Sequence, residues 1–159
     1  MTYVCNKGTS FTYNQLQALT IAPNSLTWAT LSVGATNQTS NNDPTIINNT
    51  GNYNFTNITV KGLNLHGEVT PSSYMDVANF TVGNSTGSSI ECGFNSTRLV
   101  NGTNLNVKLS ILTKGNNSVN DRQTGQEELY YCIMTVPQIA SQTYSTTYTG
   151  GSWLVIGTT

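Results

Sequence analysis

Apolar and polar residues alternate with a period of two along most of this chain, which is the pattern of β-strands. Between residues 104 and 111, leucine, valine or isoleucine occupies every second position, which predicts a half-buried strand. Residues 129–136 are apolar on both faces, so they are predicted to form a central strand. The apolar side changes face at Gly62, between residues 58–60 and 63–65, where we predict a bulge. Further strands are predicted around residues 11–21, 26–33, 45–49, 74–82, 142–148 and 152–157.

The order of these elements predicts the fold. In the strand over residues 74–82, Phe80 and Val82 are expected to face the core, whereas Asn79 and Thr81 point to water. Turn residues separate the strands, and no segment has a convincing amphipathic helical pattern. Eight or nine short strands without a helix predict an all-β fold, an immunoglobulin-like two-sheet β-sandwich. We expect one domain over residues 11–159 and an extended N-terminal arm over residues 1–10.

Charge is scarce in this sequence. Six Lys and Arg residues oppose seven Asp and Glu residues, so the formal net charge is −1. Without a basic stripe or a polybasic cluster, we expect neither nucleic acid nor anionic lipid as a partner. No apolar run reaches the length of a membrane span. Residues 1–20 do not resemble a signal peptide, so we expect the numbering to begin at a processed or recombinant end. A near-zero net charge favours association between copies.

Glycan acceptors offer a different source of surface hydration. The chain contains nine Asn-x-Ser/Thr triplets, whereas its 21 Asn and 41 Ser and Thr residues would give roughly five by chance. N-linked glycans on these triplets predict an extracellular or cell-surface protein. The acceptor asparagines are Asn37, Asn48, Asn54, Asn57, Asn79, Asn84, Asn95, Asn101 and Asn116.

The three cysteines fit a disulfide better than a metal site. Cys5, Cys92 and Cys132 lack the close spacing of a zinc or redox motif. Cys92 and Cys132 lie in strand-like contexts, so we predict that they pair, which would stabilise the fold by about 4 kcal/mol. Cys5 is then free or pairs between subunits, and a bridge from Cys5 to either of the others remains an alternative.

One motif resembles that of a serine hydrolase. Residues 83–87 match the pattern Gly-x-Ser-x-Gly, which works only at a strand-to-helix turn with a histidine base within reach. No helix is predicted after this motif, and the single histidine, His66, is expected in an exposed turn. We therefore expect neither catalysis nor a cofactor.

The residue types are also compatible with a calcium site and with an isopeptide bond. Asn120, Asp121, Glu127 and Glu128 would bring oxygen ligands for calcium into one loop, although their spacing differs from an EF-hand. Strand lysines of asparagine-rich extracellular domains sometimes form an isopeptide bond with asparagine, for which the candidates are Lys61 and Lys108. In both cases a solvated side chain is the more common outcome.

The aromatic residues have two interpretations. Trp28 and Trp153 lie in apolar strand patterns, which favours core packing over stacking on a sugar. An exposed aromatic shelf near them, or near residues 144–148, would instead indicate a carbohydrate-binding module. Residues 130–132, Tyr-Tyr-Cys, resemble the tyrosine corner of immunoglobulin domains, but no tryptophan separates the two paired cysteines.

Three segments resemble a known group of proteins. The sequences WATLSVGATNQTSNNDPTIINNTGNYN, GQEELYYCIMTVP and QTYSTTYTGGSWLVI resemble secreted β-sandwich surface proteins of small-genomed archaea over most of residues 25–157. More distantly, the chain is similar in architecture and composition to the subunits of archaeal thread-type filaments. That similarity implies glycosylated, immunoglobulin-like sandwiches that join head to tail through donated strands.

The arm then becomes a candidate for assembly. Residues 2–21 are the best donor strand, with Phe11, Tyr13, Leu19 and Ile21 on one face. The alternative is that residues 11–21 form the first strand of their own domain. We expect a non-enzymatic subunit of an extracellular filament, with identical copies and covalent glycans as its partners. A monomeric adhesin, a carbohydrate-binding module or a surface-layer component is the alternative.

Overall fold

The computed structural model describes residues 8, 10, 12–84, 92–93, 95–108, 112–114 and 125–159. The described chain is nearly all β, with a short 3-10 helix at Val77–Asn79 and no α-helix in these ranges. No helix in the described ranges is long and apolar enough to cross a membrane. The strands are β1 (Leu19–Ala22), β2 (Thr36–Thr39), β3 (Thr45–Asn49), β4 (Ile58–Gly62), β5 (Leu65–Gly67), β6 (Tyr74–Met75), β7 (Phe80–Gly83), β8 (Thr97–Arg98), β9 (Leu105–Asn106), β10 (Gln126–Thr135), β11 (Tyr144–Ser145) and β12 (Leu154–Thr158).

The larger sheet is built around β10, which is buried on both faces over most of its length. Its strand order is β1-β3-β10-β7-β8, and all the pairs are antiparallel. The second half of β10 also pairs with β2. The central position predicted for residues 129–136 is therefore confirmed, because only a strand covered on both faces can be apolar on both.

A short interruption separates β2 from β3 while both run along β10. The main-chain N–H of Ser40 donates to the carbonyl of Tyr131, at 3.0 Å. The N–H of Tyr131 donates in turn to Oδ2 of Asp43, at 2.9 Å. A side-chain oxygen thus takes the place of a ladder carbonyl, so β10 keeps its hydrogen bonds across the interruption.

The second layer consists of two three-stranded sheets, ordered β12-β4-β9 and β11-β5-β6. The chain leaves β4 at Gly62, as predicted for the change of face. A Cβ on Gly62 would overlap Cγ2 of Val77, so the close packing there has room only for glycine. The N–H of Leu63 donates to the carbonyl of Trp153, at 3.0 Å, and carries the contact with the C-terminal segment past the break.

The two layers enclose one apolar core. The larger sheet contributes residues such as Ile47, Val82 and Leu129, and the second layer contributes Ile58 and Val60, all fully buried. Each such side chain contributes about 1.5–3 kcal/mol of transfer free energy relative to exposure. An all-β sandwich with a shared core is therefore the architecture of this chain, as the strand pattern predicts.

Two strand predictions are wrong. Residues 26–33 form no strand, because their polar main chain bonds to the turn that follows β2. Asn42 accepts the N–H of Thr27, at 2.9 Å, and donates to the carbonyl of Ser25, at 2.6 Å. The strand over residues 74–82 is divided by the 3-10 helix, and Thr81 is buried rather than exposed, because β7 is covered on both faces.

Three other predicted strands are shorter than expected. In the segment over 11–21 the strand is limited to β1, and in the segment over 142–148 it is limited to β11. In the strand predicted over 104–111, residues 105–106 form β9, Val107 is buried, and residues 109–111 lie outside the described ranges. Strand length is set here by pairing with a partner, which alternation within one segment does not encode.

Candidate assembly site

The N-terminal arm extends through β1, so that it comprises residues 1–22. Its described residues 12–18 continue β1 along the outer edge of the larger sheet. Within β1, Leu19 lies opposite Asn49 in an antiparallel register. Beyond it, the N–H of Thr50 donates to the carbonyl of Ala18, at 2.9 Å, and the N–H of Asn52 donates to the carbonyl of Leu16, at 3.0 Å. The arm is therefore held in its own chain by a series of main-chain hydrogen bonds.

The side chain of Asn52 reinforces this docking. Its Oδ1 accepts the N–H of Leu16, at 2.7 Å, and its Nδ2 donates to the carbonyl of Asn14, at 2.8 Å. Next to it, the arm passes so close to Gly51 that a Cβ there would overlap the carbonyl oxygen of Leu16. The turn after β3 is thus shaped to receive an extended backbone.

The side chains of the arm contribute little burial. Tyr13 is 75% exposed, Leu16 is 56% exposed and Ile21 is 38% exposed, whereas Leu19 packs partly against the core. Two residues of the predicted donor face, Tyr13 and Ile21, therefore stay exposed within one chain. Phe11, which is predicted on the same face, lies outside the described residues. The arm occupies its place chiefly through its backbone.

A buried amide fixes the turn that holds the arm. Asn49 is 1% exposed, and its Nδ2 donates to the carbonyls of Tyr53, at 2.6 Å, and Thr113, at 2.8 Å. Its Oδ1 accepts the N–H of Gly51, at 3.0 Å. Both amide protons and the oxygen of the side chain are thus used, which is what a buried polar group requires.

Between the edge strands of the two layers lies an apolar cleft of about 500 Å³. One wall is formed by β1 and the turn that follows it, with Ile21 and Leu26. The other wall is formed by β12 and the residues before it, with Trp153, Leu154 and Ile156. The cleft therefore opens on the flank where each layer presents an outer strand.

Tyr131 lines the cleft while its side chain is almost fully buried. Burial raises the pKa of its phenol above the ordinary value, the charge of Asp43 raises it further, and a hydrogen bond with Thr45 opposes these effects. The tyrosine is thus a neutral, hydrogen-bonding part of the core.

We expect this tyrosine to make stability fall at high pH. Because its folded pKa is raised, its contribution is complete below a pH of about 10, where tyrosine in the unfolded chain ionises. Above that value the free energy of unfolding should fall by about 1.4 kcal/mol per pH unit. Urea unfolding at increasing pH measures this slope. Tyr131→Phe should unfold with a flatter profile, and an equal slope in both proteins would contradict the assignment.

The two tryptophans pack against each other and against Phe80. The ring of Phe80 lies edge-on to Trp28, with centroids 5.6 Å apart, and to Trp153, with centroids 4.8 Å apart. Nε1 of Trp28 donates to the carbonyl of Gln38, at 3.1 Å. Both indoles are half-buried against the core, and this arrangement favours the packing interpretation.

None of the eight described acceptor asparagines is buried. Asn37, Asn54 and Asn101 are exposed, and the other five are half-buried. In Asn54 and Asn101 the side-chain oxygen accepts a main-chain N–H, from Lys114 and Asn64 respectively, which leaves the nitrogen that carries an N-linked glycan outside that bond. Asn116 lies outside the described residues, and those half-buried are Asn48, Asn57, Asn79, Asn84 and Asn95.

The structure joins Cys92 to Cys132 in a disulfide, with their Cα atoms 5.3 Å apart. Cys132 lies in the middle of β10 and is fully buried. The bridge therefore ties the connection between β7 and β8 to the central strand. Cys5 lies outside the described residues.

Among the described residues, the catalytic and metal candidates form no site. His66 lies within β5, half-buried, with Nδ1 at 2.8 Å from the carbonyl of Pro71, which corrects its expected position in an exposed turn. Glu127 and Glu128 are consecutive in β10, so their side chains point to opposite faces of the sheet. No cluster of metal-ligating residues occurs in the described ranges. Asn120, Asp121 and residues 85–87 of the Ser-Gly motif lie outside them.

The structure also shows the surroundings of the two candidate lysines and of Tyr130. Lys61 is half-buried in β4, and Lys108 is exposed after β9. The hydroxyl of Tyr130 donates to Oε2 of Glu128, at 2.6 Å.

Sequence reasoning missed the flank, although the sequence carries its signal. Residues 8–42 and 129–159 contain no charged side chain, and residues 1–36 and 117–159 contain no acceptor triplet. Apart from Thr45, every residue that lines the cleft belongs to these two uncharged segments. The map of charge and acceptors along the chain therefore marks the surface that stays apolar and unshielded.

Comparisons with known proteins find no matching family model, no similar curated protein and no similar solved structure.

Proposed function

We propose that this protein is a structural subunit of an extracellular, N-glycosylated filament. The N-terminal arm of one copy leaves its own sheet and pairs with β3 of the next copy. Each copy donates one arm and accepts another, so the contact is head to tail and generates a fibre instead of a closed oligomer.

One observation carries this proposal: the arm is an outer strand attached mainly through its backbone, with Tyr13, Leu16 and Ile21 still exposed. Main-chain hydrogen bonds do not depend on which chain supplies the strand. The outer edge of β3, together with the hydrogen bonds of Asn52, would accept the same segment from a neighbour.

The energetics favour such an exchange. The contacts that a neighbour's arm makes replace those that the arm makes in its own chain, so the exchange itself costs little free energy. The exposed apolar residues of the arm then gain burial against a second copy, at about 25 cal/mol per Å² of apolar surface. Assembly should therefore become favourable as the concentration rises.

The surface chemistry supports an extracellular location. A disulfide such as the one between Cys92 and Cys132 persists in oxidising surroundings. None of the eight described acceptor asparagines is buried, and Asn37, Asn54 and Asn101 are exposed. Glycans would hydrate a surface that has few charges.

Removal and replacement of the arm test the proposal. We expect protein lacking residues 1–22 to form no fibres in negative-stain images, because the donor is absent. A synthetic peptide of residues 8–22 should bind the truncated protein and stabilise it against heat, because the peptide restores the strand beside β3. The same peptide in excess should prevent fibre formation by the intact protein, since it caps the acceptor.

The matched control is a peptide in which Thr20 and Leu16 are both proline, because proline cannot donate the main-chain hydrogen bonds of the arm. This peptide should neither stabilise the truncated protein nor stop the fibres. Fibres from the truncated protein, or an intact protein that stays monomeric at high concentration, would reject the proposal.

A further inference from the structure

The geometry points to a second self-association surface, in which β12 of one copy pairs antiparallel with β12 of another copy about a two-fold axis. This pairing does not require the arm. It would join two sandwiches side by side through the smaller layer, whereas the arm joins them head to tail.

β12 is an outer strand without the usual protection of a sheet edge. All five of its residues pair with β4 on one side, and no strand in the described ranges pairs with its other side. The strand contains no charge and no proline, the residues that normally guard such an edge. Val155, on its outer face, is 45% exposed. The open main-chain groups are therefore available to another strand.

The sequence of β12 is complementary to itself. An antiparallel pair centred on Ile156 places Leu154 opposite Thr158 and Val155 opposite Gly157 of the second copy. Glycine offers no side chain, so the branched side chain of Val155 meets open backbone instead of another bulky group. In this register, Val155 of each copy therefore does not clash with residue 157 of the other copy on the outer face.

Charge distribution favours a second copy as the occupant. A two-fold interface brings each residue close to its own twin, so any net charge on the patch would repel itself. Residues 129–159 have no charged side chain, which removes this cost for β12 and the strands beside it. No acceptor asparagine occurs after Asn116, so glycans on the acceptor triplets would not be attached to this strand.

The cleft adds an apolar border to this edge. Leu154 and Ile156 of β12 line it, together with Trp153. A strand added beside β12 would extend that wall and cover apolar surface that now faces water. Burial of this surface supplies a driving force in addition to the new main-chain hydrogen bonds.

A single lysine tests the pairing. In the full-length protein, Val155→Lys places two like charges within one small interface. Val69→Lys makes the same change at a valine that is 83% exposed in the bend after β5, away from β12. Analytical ultracentrifugation with the arm peptide present, so that fibres are capped, should show a dimer for the wild type and for Val69→Lys. Val155→Lys should weaken the dimer at least tenfold, which is about 1.4 kcal/mol.

The outcomes separate this inference from the proposed function. If both hold, the wild type forms fibres two subunits wide, and Val155→Lys forms fibres one subunit wide. A dimer without fibres would support the pairing and reject the role of the arm. Fibres of unchanged width in Val155→Lys, or a protein that is monomeric whenever the arm is capped, would overturn the pairing while leaving the proposed function intact.

Discussion

Asn49→Asp should destabilise the protein by about 3–5 kcal/mol at neutral pH, because it breaks a fully satisfied buried amide. The nitrogen of Asn49 donates to the carbonyls of Tyr53 and Thr113, and the substitution puts a carboxylate oxygen in its place. Two carbonyls then lose their donor, and a negative charge is buried against them. Urea denaturation followed by circular dichroism measures the loss.

The effect should depend on pH in a direction that identifies its cause. The folded pKa of the new carboxyl is raised by burial, so the protonated form is favoured in the folded state. The loss should therefore be smallest below a pH of about 4 and should grow as the pH rises. Asn48→Asp is the matched control, since Asn48 is the half-buried neighbour on the other face of β3.

Asn48→Asp should cost less than about 1 kcal/mol. Equal losses in the two variants would show that the buried amide network has no special role. Because Asn49 also fixes the turn that carries Asn52, its substitution should in addition release the arm, which protease cleavage between residues 12 and 18 would report.

Loss of the disulfide is the second large effect that we expect. The bridge between Cys92 and Cys132 spans a sequence separation of 40 residues. In the chain-entropy model, closure of a loop of that length lowers the entropy of the unfolded chain and so raises its free energy by about 4 kcal/mol. The double variant Cys92→Ala/Cys132→Ala should lose about this much, a large part of the 5–15 kcal/mol that is typical of a domain. Thermal denaturation with and without reductant measures the change.

The control is Cys5→Ala, which removes a thiol without opening the bridge and should leave the melting temperature unchanged. In the double variant, reductant should have no further effect. A wild type whose melting temperature is the same with and without reductant would show that the bridge is absent or contributes nothing to stability.

Much of the sandwich could be predicted from local pattern. The predicted strand at residues 45–49 has the bounds of β3, and the predicted strand at 152–157 differs from β12 by a residue or two. Residues 129–136 fall almost entirely within β10. In each of these segments, the apolar positions match the faces that the fold buries, so local pattern and tertiary packing agree.

Pattern failed where polar side chains replace strand partners or where a neighbour covers both faces. Residues 26–33 alternate like a strand, but Asn42 bonds their backbone into an irregular segment. Thr81 is polar yet buried, because β7 lies beside β10 and both of its faces are covered. A sequence shows which residues are apolar but not which polar residues find a partner.

The candidate assembly site could likewise be predicted only in part from the sequence. The sequence marks the arm as extended and poor in charge, and it marks both ends of the chain as free of acceptor triplets. Neither feature shows that Leu16 and Asn14 are held by Asn52, or that β1 and β12 border one cleft. Those contacts join residues that are far apart in the sequence.

The sequence by itself determined the all-β class, the pairing of Cys92 with Cys132 as the favoured bridge, and a surface hydrated by amides and hydroxyls instead of charge. These properties follow from residue type and periodicity, which are local. Only the tertiary structure decided which strands lie at the edges, that β1 pairs within its own chain and that the two uncharged segments meet at one flank. Strand order depends on long-range pairing and packing, whose free energies are properties of the whole fold and not of any one segment.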